Sequence, residues 1–275
     1  DADETLAMDI KPAADAVLSV AFGSDGARLI AGDIQGRLLE YRLESGEFVE
    51  LDFGAAERRG RAISSLAVSS DGSRLAIASL ARGADSGFGE ASRVRVWDLR
   101  TKELIWSPRI DGLVFVLAFS DDGKRLAIAG HDMGFVRVAN ITGLPSFTGR
   151  PQPLDLASDD FMINALDFSP DGSQLLTGGK QMQLWDLEPA WKGLQAPPAR
   201  PIAAFDSDVE LWMVAFSSDG EWFYRGSAEG EVLRSVGRVE RRVELACDAL
   251  EGTRNYAGAE DACVRTFERR PITYK

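Results

Sequence analysis

One short pattern constrains this chain more than anything else in it. An Asp-Gly pair follows an apolar stretch at Asp25-Gly26, Asp71-Gly72, Asp122-Gly123, Asp171-Gly172 and Asp219-Gly220, at intervals of 46, 51, 49 and 48 residues. The fullest copy runs from Met162 to Leu187 and reads as three short strands separated by tight turns. Ile163, Leu166 and Phe168 are the apolar residues of the first strand, and Pro170-Asp171-Gly172 supplies a turn, since proline presets φ and glycine accepts positive φ. Leu175 to Thr177 is the second strand, Gly178-Gly179 the next reversal, and Met182 to Leu187 the third, ending in Trp185-Asp186. The other copies are Ala16–Leu43, Ala62–Leu99, Leu113–Ile141 and Glu210–Val236. A sixth, weaker copy is placed at Val243–Glu268 with its turn at Glu251-Gly252; Asp248 stands where the others carry an apolar residue. A fixed period of this length means that each unit buries its apolar face only against its neighbours.

The sequence F-S-P-D-G (Phe168 to Gly172), a run of small residues, then L-W-D-L (Leu184 to Leu187) resembles the WD-repeat unit, one blade of a β-propeller. The resemblance implies an all-β chain: a β-propeller of four-stranded antiparallel blades, six of them, with seven as the alternative. It also implies a ring closed by the N-terminal strand Thr5–Ile10, because closure removes the open sheet edge. Residues 1–275 then read as one domain, and a chain that opens on Asp1 reads as part of a longer protein or a processed form. The family's Gly-His, whose histidine joins a Ser or Thr, a Trp and an Asp in a structural network, is missing. The one histidine, His131, is expected in the loop between the second and third strands of copy three, so the network is absent or rebuilt. At the tryptophan position stand Tyr41, Trp97, Ala139, Trp185 and Phe267.

Composition narrows the function. With a formal net charge of −12 and its densest basic run, Arg238 to Arg242, interrupted by glutamate, the chain is not expected to bind nucleic acid, which needs clustered cations to replace counterions. No apolar run of about 18 residues exists, so no membrane span is expected. Cys247 and Cys263 are not in a C-x-x-C arrangement, and the expected setting is reducing and cytoplasmic. No cofactor is implied. A Ser-His-Asp hydrolase would have to use His131 without a serine at a recognisable elbow, and a zinc site lacks ligands. The enzymatic alternative is a calcium-dependent, lactonase-like propeller hydrolase, with Asn164 and Glu210 at the inner-strand entrances of adjacent copies.

The favoured reading is a non-catalytic protein-interaction platform, a scaffold or sensor module for an attached or associated effector. The resemblance adds that bacterial-looking WD-repeat segments are often joined to kinases, NTPases or proteases. The variable position near the start of each inner strand, Leu18, Ser64, Phe115, Asn164 and Trp212, is expected to face one mouth of the channel. The position two residues earlier holds Ala16, Ala62, Leu113, Met162 and Glu210. Leu113, Phe115, Met162 and Trp212, rimmed by Asn164, Glu210, Asp132 and Glu229, form the expected partner-binding surface. The competing reading makes them core residues turned inward between blades. Three insertions elaborate the surface: a glycine-rich loop at Arg82–Arg93, Thr142–Asp160, and Glu188–Arg200, whose Trp191 is either a partner anchor or a plug on its own blade.

Overall fold

In the computed structural model, which describes residues 15–54, 60–82, 88–131, 133, 135–142, 153–158, 160–188, 201–207, 209–227, 229, 232–236 and 272–274, every Asp-Gly pair closes its turn for a local reason. In the fourth copy the Ser169 hydroxyl donates to Asp171 Oδ1 at 2.7 Å, the same oxygen accepts the Ser173 amide at 2.9 Å, and Ser169 Oγ accepts the Gln174 amide at 2.9 Å. Gly172 follows at φ 68°, the left-handed region where a Cβ is strained. The Ser169 hydroxyl, then the Ser173 amide, hold the Asp171 carboxyl below the usual carboxylate range. Ser69 with Asp71, Ser120 with Asp122, and Ser217 with Asp219 repeat the lock. In the first copy Gly23 stands in place of the serine, and only the carboxylate half remains, with Asp25 Oδ1 accepting the Ala27 amide at 3.0 Å.

These turns join strands into successive antiparallel sheets. The first contains β1 (Val17–Phe22), β2 (Arg28–Asp33), β3 (Leu38–Arg42) and β4 (Phe48–Glu50), hydrogen-bonded in chain order. The second contains β5 (Arg61–Val68), β6 (Arg74–Arg82) and β7 (Phe88–Asp98), with β8 (Leu104–Trp106) and β9 (Arg109–Asp111) both on the outer edge of β7. The third is β10 (Leu113–Phe119), β11 (Arg125–His131), β12 (Phe135–Asn140) and β13 (Leu154–Ala157). In the fourth, β14 (Ala165–Phe168), β15 (Gln174–Gly178), β16 (Gln181–Asp186) and β17 (Ala203–Asp206) are followed by a later segment. The fifth has β18 (Leu211–Phe216), β19 (Trp222–Ser227) and β20 (Val232–Val236). The chain ends with β21 (Ile272–Tyr274), which lies parallel to β17 as a fifth strand of the fourth sheet.

Several expectations change here. The stretch Arg82–Arg93 is not simply a loop: Arg82 pairs with Phe88, and β7 continues through Ala91 to Arg93, where β9 pairs with it. The described part of the insertion, Arg82 and 88–93, therefore extends the hairpin of β6 and β7 with ladder partners for its backbone. His131 is the last residue of β11, paired with Leu113, and not part of the loop beyond it. The first and third sheets have the expected four strands; among the described residues the fifth shows three, β9 adds to the edge of the second, and β21 adds to the fourth. Thr5–Ile10 and the sixth copy, Val243–Glu268, lie outside the described residues.

The core is divided into layers, each between two successive sheets. Leu126 and Ile128 of the third sheet pack with Ala76 and Ala78 of the second, while Ala127 and Ala129, on the opposite face of the same strand, pack with Leu175 and Trp185 of the fourth. Further layers join the first sheet to the second around Ile63, Leu66 and Ile77, and the fourth to the fifth around Leu184, Val214 and Phe223. Period-two alternation thus gives one strand a large-residue face and a small-residue face, both buried. The first strands of successive sheets lie side by side and are bridged by side chains. Ser19 Oγ accepts the Leu66 amide at 2.9 Å, Ser65 Oγ the Leu117 amide at 3.1 Å, and Asp167 Oδ2 the Phe216 amide at 2.6 Å.

The rebuilt tryptophan network is visible in the fourth sheet. Buried Trp185 donates from Nε1 to Thr177 Oγ1 at 3.2 Å, and buried Asp160 accepts the amides of Met162 and Lys180 at 3.1 and 2.6 Å, tying the entry to β14 to the β15–β16 turn. In the second sheet Ile77 occupies the position of Thr177, and the indole nitrogen of Trp97 is buried without an acceptor.

Two stability outcomes follow from these contacts. Thr177→Val, which strands the Trp185 donor, lowers the unfolding free energy in urea by about 1–3 kcal/mol. Burial pushes the Asp167 carboxyl up to about 6, above its ordinary 3.8, against the opposing Phe216 hydrogen bond. A carboxyl raised in the folded state binds its proton more tightly there, so its penalty is full above about pH 6 and is relieved as pH falls toward 4. Asp167→Asn therefore raises the unfolding free energy at pH 7 by on the order of 1–2 kcal/mol, and the melting temperature with it, and flattens the rise in stability from pH 7 to 5.

Candidate recognition surface

The turns and the strand entrances lie at opposite ends of the inner strands, and the entrances carry a repeated irregularity. In β1, β5, β10 and β18 the register slips by one residue, and the residue left out of the ladder is Leu18, Ser64, Phe115 or Trp212. These are four of the five positions expected to face one mouth. A bulge breaks the alternation and frees one side chain from the face that its neighbours bury. In the fourth sheet the corresponding residue, Asn164, directly precedes β14. The third sheet makes the reason for its bulge explicit: a Cβ on Gly130 would run into the Leu113 carbonyl and the Phe115 amide, so only glycine allows this approach.

The five bulge-position residues divide into two kinds. Ser64 Oγ donates to the Val114 carbonyl of the next sheet at 2.7 Å, and Asn164 Nδ2 donates to the equivalent Leu211 carbonyl at 3.2 Å. The polar residues thus fasten neighbouring entrances, while Leu18, Phe115 and Trp212 are apolar. Asn164 does more: Nδ2 also donates to Glu210 Oε1 at 2.9 Å, and Oδ1 lies 2.9 Å from His131 Nε2. Because both partners of Nδ2 can only accept, the amide orientation is determined, and Oδ1 must receive the Nε2–H of His131. The imidazole in turn stacks on Phe115, with centroids 4.4 Å apart and planes at 40°. The chain Phe115–His131–Asn164–Glu210 therefore links the third, fourth and fifth sheets at one end.

Of the expected surface, the structure brings together Phe115, Asn164 and Glu210 through that chain, all half-buried. Leu113 and Met162 are half-buried and both pair with His131 through the backbone. Trp212 is 58% exposed, so it is not a core residue, and Glu229 is exposed just beyond β19. Asp132 and Trp191 lie outside the described residues. For the calcium alternative, the Asn164 oxygen that a cation would use faces His131. Sequence reasoning weighed His131 only as a catalytic or network histidine, not as part of this surface, and did not single out Phe161, 62% exposed in the entrance to β14, or Met213, 42% exposed beside Trp212. An aromatic residue next to the Asp160 that caps the turn was the available signal for Phe161. Among the described residues no helix is long and apolar enough to cross a membrane.

Asn164→Leu is expected to lower stability by about 1–3 kcal/mol by leaving Glu210 and His131 without a partner. The chain has one histidine, so its nitrogen NMR spectrum reports a single imidazole, which should hold the Nε2–H tautomer in the natural chain and lose that preference in the variant.

A family model described as WD domain, G-beta repeat, matches residues 154–186. The match starts at β13, the outer strand of the third sheet, and ends with β16 in the fourth, so the family's unit straddles two sheets. It covers the sheet in which the Trp185–Thr177 bond is intact. No curated protein matches the chain. Residues 154–186 are thus similar to a WD repeat, and the turn lock of that unit recurs in the second, third and fifth sheets.

Proposed function

We propose that this chain is a recognition module that uses the strand-entrance mouth of its third to fifth sheets to hold a protein partner, acting as scaffold or sensor for an attached or associated effector. A WD repeat is in general a protein-interaction unit. The observation that carries the finer reading is the pair of large apolar side chains left open at the β18 entrance, Trp212 at 58% and Met213 at 42% exposure between buried Leu211 and Val214, together with Phe161, 62% exposed in the segment that leads into β14. Rigidly rooted aromatic side chains supply most of the affinity in protein interfaces. A cytoplasmic setting and the absence of a nucleic-acid ligand belong to the same proposal, on the charge of −12 and the sparse cysteines.

The reading includes a six-bladed ring closed by the sixth copy and the N-terminal strand. Its support is the outward face of the first sheet, where Val20 and Phe22 are 56% and 64% exposed although their counterparts Leu117 and Phe119 pack on the preceding sheet. Phe22→Ser separates the cases: a loss of about 3–5 kcal/mol means that the face is covered, and a change within about 0.5 kcal/mol means that it is not.

For the recognition role, Trp212→Asp combined with Phe161→Asp should abolish capture of the partner by the full chain while leaving its melting temperature within a few degrees of the natural value. Capture that survives this double change with the fold intact would move the recognition surface elsewhere.

A further inference from the structure

At the entrance of β18 a fixed carboxylate and an open indole belong to the same short segment. Glu210 and Trp212 flank Leu211, which is 2% exposed and roots the segment in the layer between the fourth and fifth sheets. Glu210 Oε1 is held at 2.9 Å by Asn164 Nδ2, and Asn164 is itself held by His131, so the carboxylate is oriented from two neighbouring sheets. Among the described residues Glu210 makes no ion pair. Trp212 is the residue that the β18 bulge leaves out of the ladder, and among the described residues its ring stacks on no other ring and lies under no cation. Phe115, at the same position two sheets earlier, differs in having its ring stacked on His131.

We propose that the entrance of the fifth sheet is a binding site for a cationic side chain, a lysine ammonium or an arginine guanidinium, carried by an extended segment of a protein partner. This rests on reading the mouth as a recognition surface and names what that surface selects. An indole face is the strongest aromatic partner for a cation, and the attraction grows as water is excluded. A carboxylate already held in place orders less on binding than a free one, so more of its attraction appears as affinity. Exposed Glu229 in the neighbouring β19–β20 connection and the net charge of −12 favour the same sign of partner. Asn164, which donates to both Glu210 and the Leu211 carbonyl, holds this segment from the fourth sheet while Trp212 remains open.

The experiment uses the full chain and two short peptides with the same Gly-, Ser- and Leu-containing frame, one with lysine at its centre and the other with norleucine, the uncharged chain of similar shape. Binding is followed by the indole NMR signal of Trp212. The lysine peptide is expected to bind about tenfold more tightly than the norleucine peptide, with a preference that weakens as salt rises. Glu210→Gln, which keeps an oxygen for Asn164, should remove most of that preference, and Trp212→Ala should remove binding. Equal binding of the two peptides at Trp212 would overturn the cation site while leaving the mouth as a recognition surface. A Trp212 signal unmoved by either peptide, in a chain whose partner capture still depends on Phe161 and Trp212, would overturn it as well. Loss of that dependence in the capture experiment would overturn the recognition surface itself.

Discussion

The packing of one sheet on the next is the interaction on which the rest of the structure depends. No sheet here has a private core; the buried residues fall into layers shared by two neighbours. Leucine and isoleucine on one face meet alanine on the facing sheet, as Leu126 and Ile128 do with Ala76 and Ala78, and this alternation of large and small residues allows broad sheets to approach closely. Such an array transmits constraint from sheet to sheet, because the second, third and fourth sheets are each held on both faces. The outer face of the first sheet differs, with Val20 and Phe22 open.

The two ends of the inner strands then take different work. At the turn end, local side chains close each reversal, and arginines reach forward to the next turn: Arg74 Nη1 donates to the Gly123 carbonyl at 2.9 Å and Arg125 to that of Gly172. The serine–aspartate lock recurs in four of these turns and the forward arginine in two. At the entrance end the repeat is the bulge, which specifies a position but not a residue type. That freedom is what lets serine and asparagine become fasteners at two entrances and tryptophan become an open surface at another. A structural device with a variable side chain is a common route from scaffold to binding site.

Degeneracy of the family pattern has a physical cost that can be located. Trp185 keeps its hydroxyl partner, whereas Trp97 has isoleucine where that hydroxyl would be and buries an unpaired N–H. Its ring is retained by packing instead, edge-on to Phe53 at 5.8 Å. Asp160 ties a strand entrance to the adjacent turn through its carboxylate. The one histidine has moved to the mouth, where it orients Asn164.

Sequence alone determined the unit, its turns and the equivalent positions at the strand entrances, since these follow from local chemistry: Ser-x-Asp-Gly closes on itself, and alternation assigns faces. It placed Leu18, Ser64, Phe115 and Trp212 at one structural position, which the register confirms as the bulge. What those residues do was decided only by tertiary structure. Asn164 and Glu210 are 46 residues apart in the chain, and His131 lies a further 33 before Asn164, so nothing local joins them. Their partnership depends on the distance between neighbouring sheets, which is set by the volumes packed between them. The same packing left Trp212 open and turned Phe115 onto His131, a difference that two aromatic residues at one repeat position could not reveal.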